Sequence, residues 1–333
     1  FFLYLGAVDT NFLWLFGKSP SMSTIKNKRP AEASIIYSAD NVQIGKYFSE
    51  NRTPVTYEEV NPVFWKALID TEDERFYSHH GIDFTAFAAV AKEYIMHRDA
   101  RGASTITQQL AKNLFRTRSE YSTGLLGNIP GIKMLIMKSK EWITAYKLEF
   151  FFTKEEILTQ YANTVDFGSN AFGIKTACKT YFGCAPKDLT AEQAAVLVGM
   201  LKATTYYNPL INPDNSLKRR NIVLDLMRQH GDLTDEQCDS LKETQIKLDF
   251  SVENAYDGQA TYFREAVAGY LKEWCKDNDY DLYTDGLKIY TTVDTRMQKY
   301  AEEAARKQMR QVQNNFNSHW GSTNPWQDER HQE

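Results

Sequence analysis

A chain of 333 residues with 42% hydrophobic and 25% charged content can bury a substantial core, which excludes a disordered or fibrous chain and leaves room for more than one folded unit. Its net charge of −4 carries no global basic field of the kind nucleic-acid binders use, so no nucleic-acid partner is expected. The four cysteines, Cys178, Cys184, Cys238 and Cys275, have neither the density of a disulfide scaffold nor CxxC spacing, and the six histidines do not stand at zinc-ligand spacing around them.

Residues 1–17 are apolar and aromatic but interrupted by Asp9 and Asn11. The stretch is shorter than the roughly 20 residues that span a bilayer, and it reads as the outer end of a transmembrane anchor with Tyr4 and Trp14 at interfacial depth. The alternative is an amphipathic or core segment. Residues 18–30, with Lys26, Lys28 and Arg29, read as a juxtamembrane linker. Two short β-prone runs around a turn at Asp40-Asn41 predict a hairpin, so 18–60 is linker plus hairpin.

Helical patterning dominates 61–230. Asn61-Pro62 supplies a cap and a first-turn proline for a helix whose apolar face includes Phe64, Leu68 and Ile69. Glu72 and Asp73 sit side by side at its polar end, with histidines and Gly81 behind. Paired carboxylates there suit acid–base chemistry, although most such pairs are simply solvated. A second helix is predicted over 84–96, and a third from Ser104 or Thr105 to Leu114, with Thr105 and Gln108 as a capping-box pair. Helical spacing puts Ile106, Leu110 and Leu114 on one face and Gln109, Lys112 and Arg116 on another. A helix start rich in hydroxyls and amides, followed by a lysine, suits an anionic group such as a phosphate. Residues 124–137 are apolar and glycine-broken ahead of Lys138 and Lys140, which fits either a membrane-surface segment or a buried loop-helix. Further helices are predicted over 141–152, 154–164, 191–201 and 216–230. Residues 231–333 read as helices at 234–248 and 259–276, a strand at 286–294, and a long helix from 295 to 314 capped by Asp294.

Taken together these residues resemble a known family. Glu72-Asp73-x-x-Phe76-x-x-His79-x-Gly81 and Gly102-x-Ser104-Thr105-Ile106-Thr107-Gln108-Gln109-x-x-Lys112-Asn113 are similar to the first two motifs of the family-51 peptidoglycan glycosyltransferases, the polymerase domain of class A penicillin-binding proteins. Lys138-x-Lys140-Glu141, the run from Lys154 through Tyr161 and Asn163 to Gly168, and the run from Ala194 to Asn208-Pro209 resemble three more. Two positions depart: Met137 stands where the family usually has an arginine, and Thr204-Thr205 where it commonly has a proline.

The resemblance implies a mainly α, lysozyme-like domain over 61–230, with a small β hairpin and linker before it and a linker toward a transpeptidase domain after it. It implies polymerisation of lipid II into β-1,4 glycan at the outer, periplasmic face of the cell membrane, with other cell-wall synthesis proteins as further partners. Glu72 then matches the base, provided burial and Asp73 raise its pKa, and Glu141 the second carboxylate. Asp73, Phe76, His79, Ser104, Thr105, Gln109, Lys112, Lys138 and Lys140 are expected to line the substrate site, with Mg²⁺ or Mn²⁺ bridging the diphosphate. A lytic transglycosylase or hydrolase of the same polymer is the competing enzyme class. An inactive membrane-anchored scaffold is the non-enzymatic one.

Overall fold

The computed structural model describes residues 2–28, 30–49, 52–86, 104–129, 131–252, 259–321 and 326. Most of the helix predicted at 84–96, and Gly102 of the second motif, lie outside these residues. The chain forms two units, residues 1–32 with 50–253, and residues 33–49 with 254–333. Both are mainly helical, as the sequence pattern predicts.

The first unit contains α1 (Phe2–Asp9), α2 (Met22–Asn27), α3 (Pro62–Glu72), α4 (Ile106–Leu114), α5 (Ile132–Phe151), α6 (Lys154–Thr164), α7 (Ile174–Phe182), α8 (Ala191–Met200), α9 (Pro213–Gln229) and α10 (Asp235–Glu243). Its starts follow local chemistry. Asn61 accepts from the N–H of Val63 ahead of Pro62, and Thr153 and Thr190 make reciprocal capping boxes with Glu156 and Gln193. Every residue of α8 from Ala194 to Met200 is buried, which makes it the central helix. α3 packs on α8 and α9 through Phe64, Trp65, Ala67 and Leu68, while α4 packs on α5 and α6. Phe64 and Leu68, both fully buried, contribute about 1.5–3 kcal/mol each.

Residues 1–17 do not form one continuous helix. α1 stops at Asp9, a short 3₁₀ turn spans Phe12–Trp14, and Val8 and Phe16 pack with Ile136 and Ile143 of α5. Asp9 pairs with Lys147 of α5 at 2.5 Å, so the polar residue that breaks the hydropathy is the one that docks the segment. Among the described residues no helix is long and apolar enough to cross a membrane. Residues 22–27 also form a helix rather than a linker, with Ile25 fully buried.

The second unit holds β1 (Ser34–Tyr37), β2 (Gln43–Tyr47), α11 (Thr261–Asp277), β3 (Lys288–Tyr290) and α12 (Thr295–Trp320). β1 pairs antiparallel with β2 and parallel with β3, giving the order β2-β1-β3. The predicted hairpin is present, but it belongs with the C-terminal strand and not with a linker before the helices.

Candidate active site

Glu72 closes α3, and its Oε2 accepts a 2.7 Å hydrogen bond from Gln109 Nε2 of α4. Gln109 Oε1 in turn accepts from the hydroxyl of Tyr161, a fully buried side chain on α6, at 2.9 Å. The relay fixes the Gln109 amide, so its N–H₂ end must face the carboxylate. Burial and then Glu72 push the Tyr161 phenol well above its ordinary pKa, which keeps it a donor.

One turn along α4, Lys112 is half-buried and, among the described residues, its ammonium has no hydrogen bond or ion pair. Burial first, then the charges of Arg118 and Lys138, lower its pKa, while Glu141 and Glu72 oppose the shift. These five groups therefore share one electrostatic site. Glu141, only 1% exposed, is held from both sides: Arg118 Nε donates to Oε1 at 2.7 Å and Lys138 Nζ to Oε2 at 2.9 Å. Lys138 also donates to Ser104 Oγ at 2.7 Å. A fixed carboxylate thus spaces two cations beside a third that is unengaged, an arrangement suited to a polyanionic leaving group.

Behind this face lies a scaffold built from residues that the sequence assigns to substrate. Gly81 N–H donates to His79 Nδ1 at 3.1 Å, so the ring proton sits on Nε2 and is shared between the two Asp73 oxygens at 2.9 and 3.0 Å. Asp73 Oδ2 also accepts from the N–H of Ile106, the first residue of α4. Thr105 Oγ1 and Gln108 Nε2 both donate to Gly81 O, so Gln108 does not complete the expected capping box. Gly81 itself, at φ 81°, lies against α5, where a Cβ would come within 2.8 Å of the Ala145 backbone. Phe76 is fully buried, with the Lys154 ammonium 4.3 Å from its ring centroid. Asp73, Phe76, His79 and Thr105 thus form the joint that holds the end of α3 against the start of α4.

Lys140 is a second correction. It is fully buried and donates to the carbonyls of Lys18 and Ser122 at 2.7 and 2.6 Å, with burial pulling its pKa down to about 8. Two residues apart on a helix, Lys138 and Lys140 must face opposite ways. Met137 and Lys133 line an open cavity of about 520 Å³ at the start of α5, together with Ile129 and Met134. The guanidinium on Glu141 is that of Arg118, a residue sequence reasoning missed because no periodicity marks the turn that carries it.

A divalent ion finds no protein ligand set here. Among the described residues no group of three or more His, Cys, Asp or Glu side chains could hold a metal, and both Glu141 oxygens are taken by cations. The described residues do not by themselves make a site for Mg²⁺, and the expected ion is one carried by the diphosphate of the substrate.

Asp70, two residues before Glu72 on α3, carries a separate titration. Burial and then Asp232 raise its pKa to about 7, and its Oδ2 is enclosed with no donor unless the two carboxyls share a proton. Lys66 pairs with Asp232 at 2.7 Å, and His230 reaches Glu74 at 3.4 Å and Asp70 at 3.7 Å. A folded pKa above the unfolded value of about 3.9 stabilises at low pH and loses that contribution as pH rises through 7. Unfolding free energy should fall by about 2 kcal/mol from pH 5 to pH 8 on this account, and Asp70→Asn should flatten the decline. Urea midpoints at the two pH values test this; equal slopes in both proteins would rule it out.

Comparison with known proteins adds lineage to geometry. The profile of a family described as Transglycosylase matches residues 40–228. Penicillin-binding protein 1A of Escherichia coli (strain K12) is 34% identical over 308 residues, covering 90% of this chain and 34% of that protein. Penicillin-binding protein 1A/1B of Bacillus subtilis (strain 168) is 37% identical over 305 residues, covering 90% of this chain and 31% of that protein. The crystal structure of penicillin-binding protein 1A from Haemophilus influenzae superposes with a TM-score of 0.43 at 23% identity, covering 83% of this chain and 29% of that one. The chain spans about a third of the length of the curated relatives it matches.

Proposed function

Because this chain belongs to the transglycosylase family, the family-51 peptidoglycan glycosyltransferases, we propose that it polymerises lipid II into β-1,4 glycan strands at a membrane surface. The observation that carries the reading is the pairing of Glu72, oriented through Gln109, with the Lys112, Arg118 and Lys138 cations around Glu141. A hydrolase of the same polymer has no diphosphate to receive, and such a cluster would be idle in it.

Among the described residues the one hydrogen bond to Glu72 goes to Oε2, leaving Oε1 to take the proton of the acceptor sugar's 4-hydroxyl. That oxygen attacks C1 of the growing strand from the face opposite its diphosphate. The C1–O bond breaks, the configuration inverts, and the electron pair leaves on the diphosphate toward Lys112, Arg118 and Lys138. An arriving polyanion raises the Lys112 pKa again, because its charge offsets the burial and repulsion that lower it. Glu141 keeps Arg118 and Lys138 in place without itself touching the sugar.

Attachment to a membrane is supported by exposed apolar side chains gathered at one place. Leu126 N–H donates to Leu15 O at 3.0 Å, tying the turn that exposes Phe12, Leu13 and Trp14 to the segment exposing Leu125 and Ile129. Both substrates are lipid-linked, so this face would keep the site at their depth.

Labelled lipid II incubated with the detergent-solubilised chain should give a ladder of polymer on a gel. Folded protein that makes no polymer, or that cuts added glycan strands instead, would overturn the proposal.

A further inference from the structure

The four cysteines are free thiols, and two of them meet at the end of α7. That helix closes on Gly183, whose φ of 61° is left-handed and whose N–H donates back to the Cys178 and Lys179 carbonyls. Cys184 N–H approaches the same Cys178 carbonyl at 3.5 Å. In helix ends of this type the residue after the left-handed glycine folds back on the last full turn, and an apolar contact usually fills the gap. Here the two residues brought together are both cysteines, Cys178 on the last full turn and Cys184 just past the glycine. The N···O contact holds their Cα atoms within about 7 Å of each other, near the upper edge of what a disulfide spans.

The two sulfurs are unequal. Cys178 is fully buried, whereas Cys184 is half-exposed. The neighbouring Cys178 holds the Cys184 thiol down to about 7, and burial pushes Cys178 well up. An accessible, activated thiol beside a buried one is the layout of an attacking and a resolving pair. We propose that Cys178 and Cys184 are a modification site that closes to an intramolecular disulfide by exchange with an external disulfide. Cys184 thiolate attacks one external sulfur and expels the other as a thiol, leaving a mixed disulfide. Cys178 gives its proton to solvent and attacks the Cys184 sulfur, and the second external thiol leaves. Two cysteine thiols are oxidised and one disulfide is reduced to two thiols.

The bond would brace the turn that carries Tyr181, whose hydroxyl donates to Phe167 O at 2.9 Å and accepts from Asn208 at 3.1 Å. Its occupancy in a cell rests on an outward-facing, oxidising location, as the proposed function requires; the exchange chemistry does not.

The test is to treat the full chain with oxidised glutathione, denature it in N-ethylmaleimide and digest it with trypsin. Lys179 lies between the cysteines, so they leave on separate peptides joined only by the bond. Wild type should yield that joined pair, two hydrogens lighter than the separate thiols. Cys178→Ser should stop at glutathione on Cys184, and Cys184→Ser should leave Cys178 unmodified. Oxidised wild type should melt roughly 5 °C higher than reduced, reversibly with dithiothreitol. Wild type that ends with glutathione on Cys184 and alkylated Cys178, or with both alkylated, would overturn the proposal. Polymer formation by the same samples is read separately and bears only on the proposed function.

Discussion

Glu72→Gln is expected to slow lipid II polymerisation by about 10³-fold while leaving the melting temperature within a degree or so of wild type. The glutamine keeps the shape of the side chain and can still turn its oxygen toward Gln109 Nε2, where Glu72 Oε2 now accepts at 2.7 Å. Its amide nitrogen then occupies the position of Oε1 and cannot take a proton from the acceptor hydroxyl. Tyr161→Phe probes the step behind. It deletes the hydroxyl that donates to Gln109 Oε1 and frees the amide to rotate, so Glu72 keeps its chemistry and loses its orientation. About a tenfold loss is expected there, because a misdirected base still acts some of the time. Initial rates of polymer formation at saturating lipid II separate the two. A Glu72→Gln protein retaining more than a tenth of wild-type rate would remove Glu72 from the role of base, and equal losses in both variants would make the relay itself essential.

The parts of this site that were legible in the sequence are those written in local chemistry. Asn61-Pro62 fixes where α3 starts, and eleven residues later that puts Glu72 at its end. Thr105 starts α4, and the spacing from Gln109 to Lys112 puts both on one face whatever the rest of the chain does. What failed involves longer range or a misplaced boundary. With a helix predicted only from 141, Lys138 and Lys140 look equivalent. Once α5 runs from Ile132, their two-residue spacing turns one toward Glu141 and the other into the N-terminal segment. Asp73 and His79 are expected along the substrate site from the sequence, and only the tertiary structure shows that they hydrogen-bond to each other and that Asp73 also accepts from the first N–H of α4. Arg118 carried no signal because turn residues have no period. The parallel pairing of β1 with β3 joins residues some 250 positions apart, as Leu287 N–H donating to Ser34 Oγ illustrates, and no local pattern encodes such a partner.

Glu141→Gln is expected to cut kcat/KM by about 10²-fold and, more tellingly, to move the alkaline limb of its pH profile to lower pH by about one unit. Glu141 is the larger of the two carboxylate charges that support Lys112, whereas Arg118 and Lys138 act against it. Removing the carboxylate leaves three cations sharing a partly buried site with only Glu72 to offset them, and the group with the least attachment, Lys112, gives up its proton first. The profile of kcat/KM reports groups of the free enzyme, so this loss appears as activity falling earlier on the basic side. The cost to folding is smaller than for a fully enclosed pair, because the Arg118 and Lys138 side chains are 46% and 25% exposed and can turn to water; about 1–2 kcal/mol is expected. Lys138→Ala makes the sign testable. It also weakens the hold on the diphosphate and lowers the rate, yet it deletes a charge that repels Lys112, so its alkaline limb should move to higher pH. Opposite shifts from two variants that both lose rate would follow from an electrostatically coupled Lys112 and not from general damage. Limbs that move together, or stay put, would detach Glu141 from Lys112 and leave it a purely structural anchor for Arg118 and Lys138.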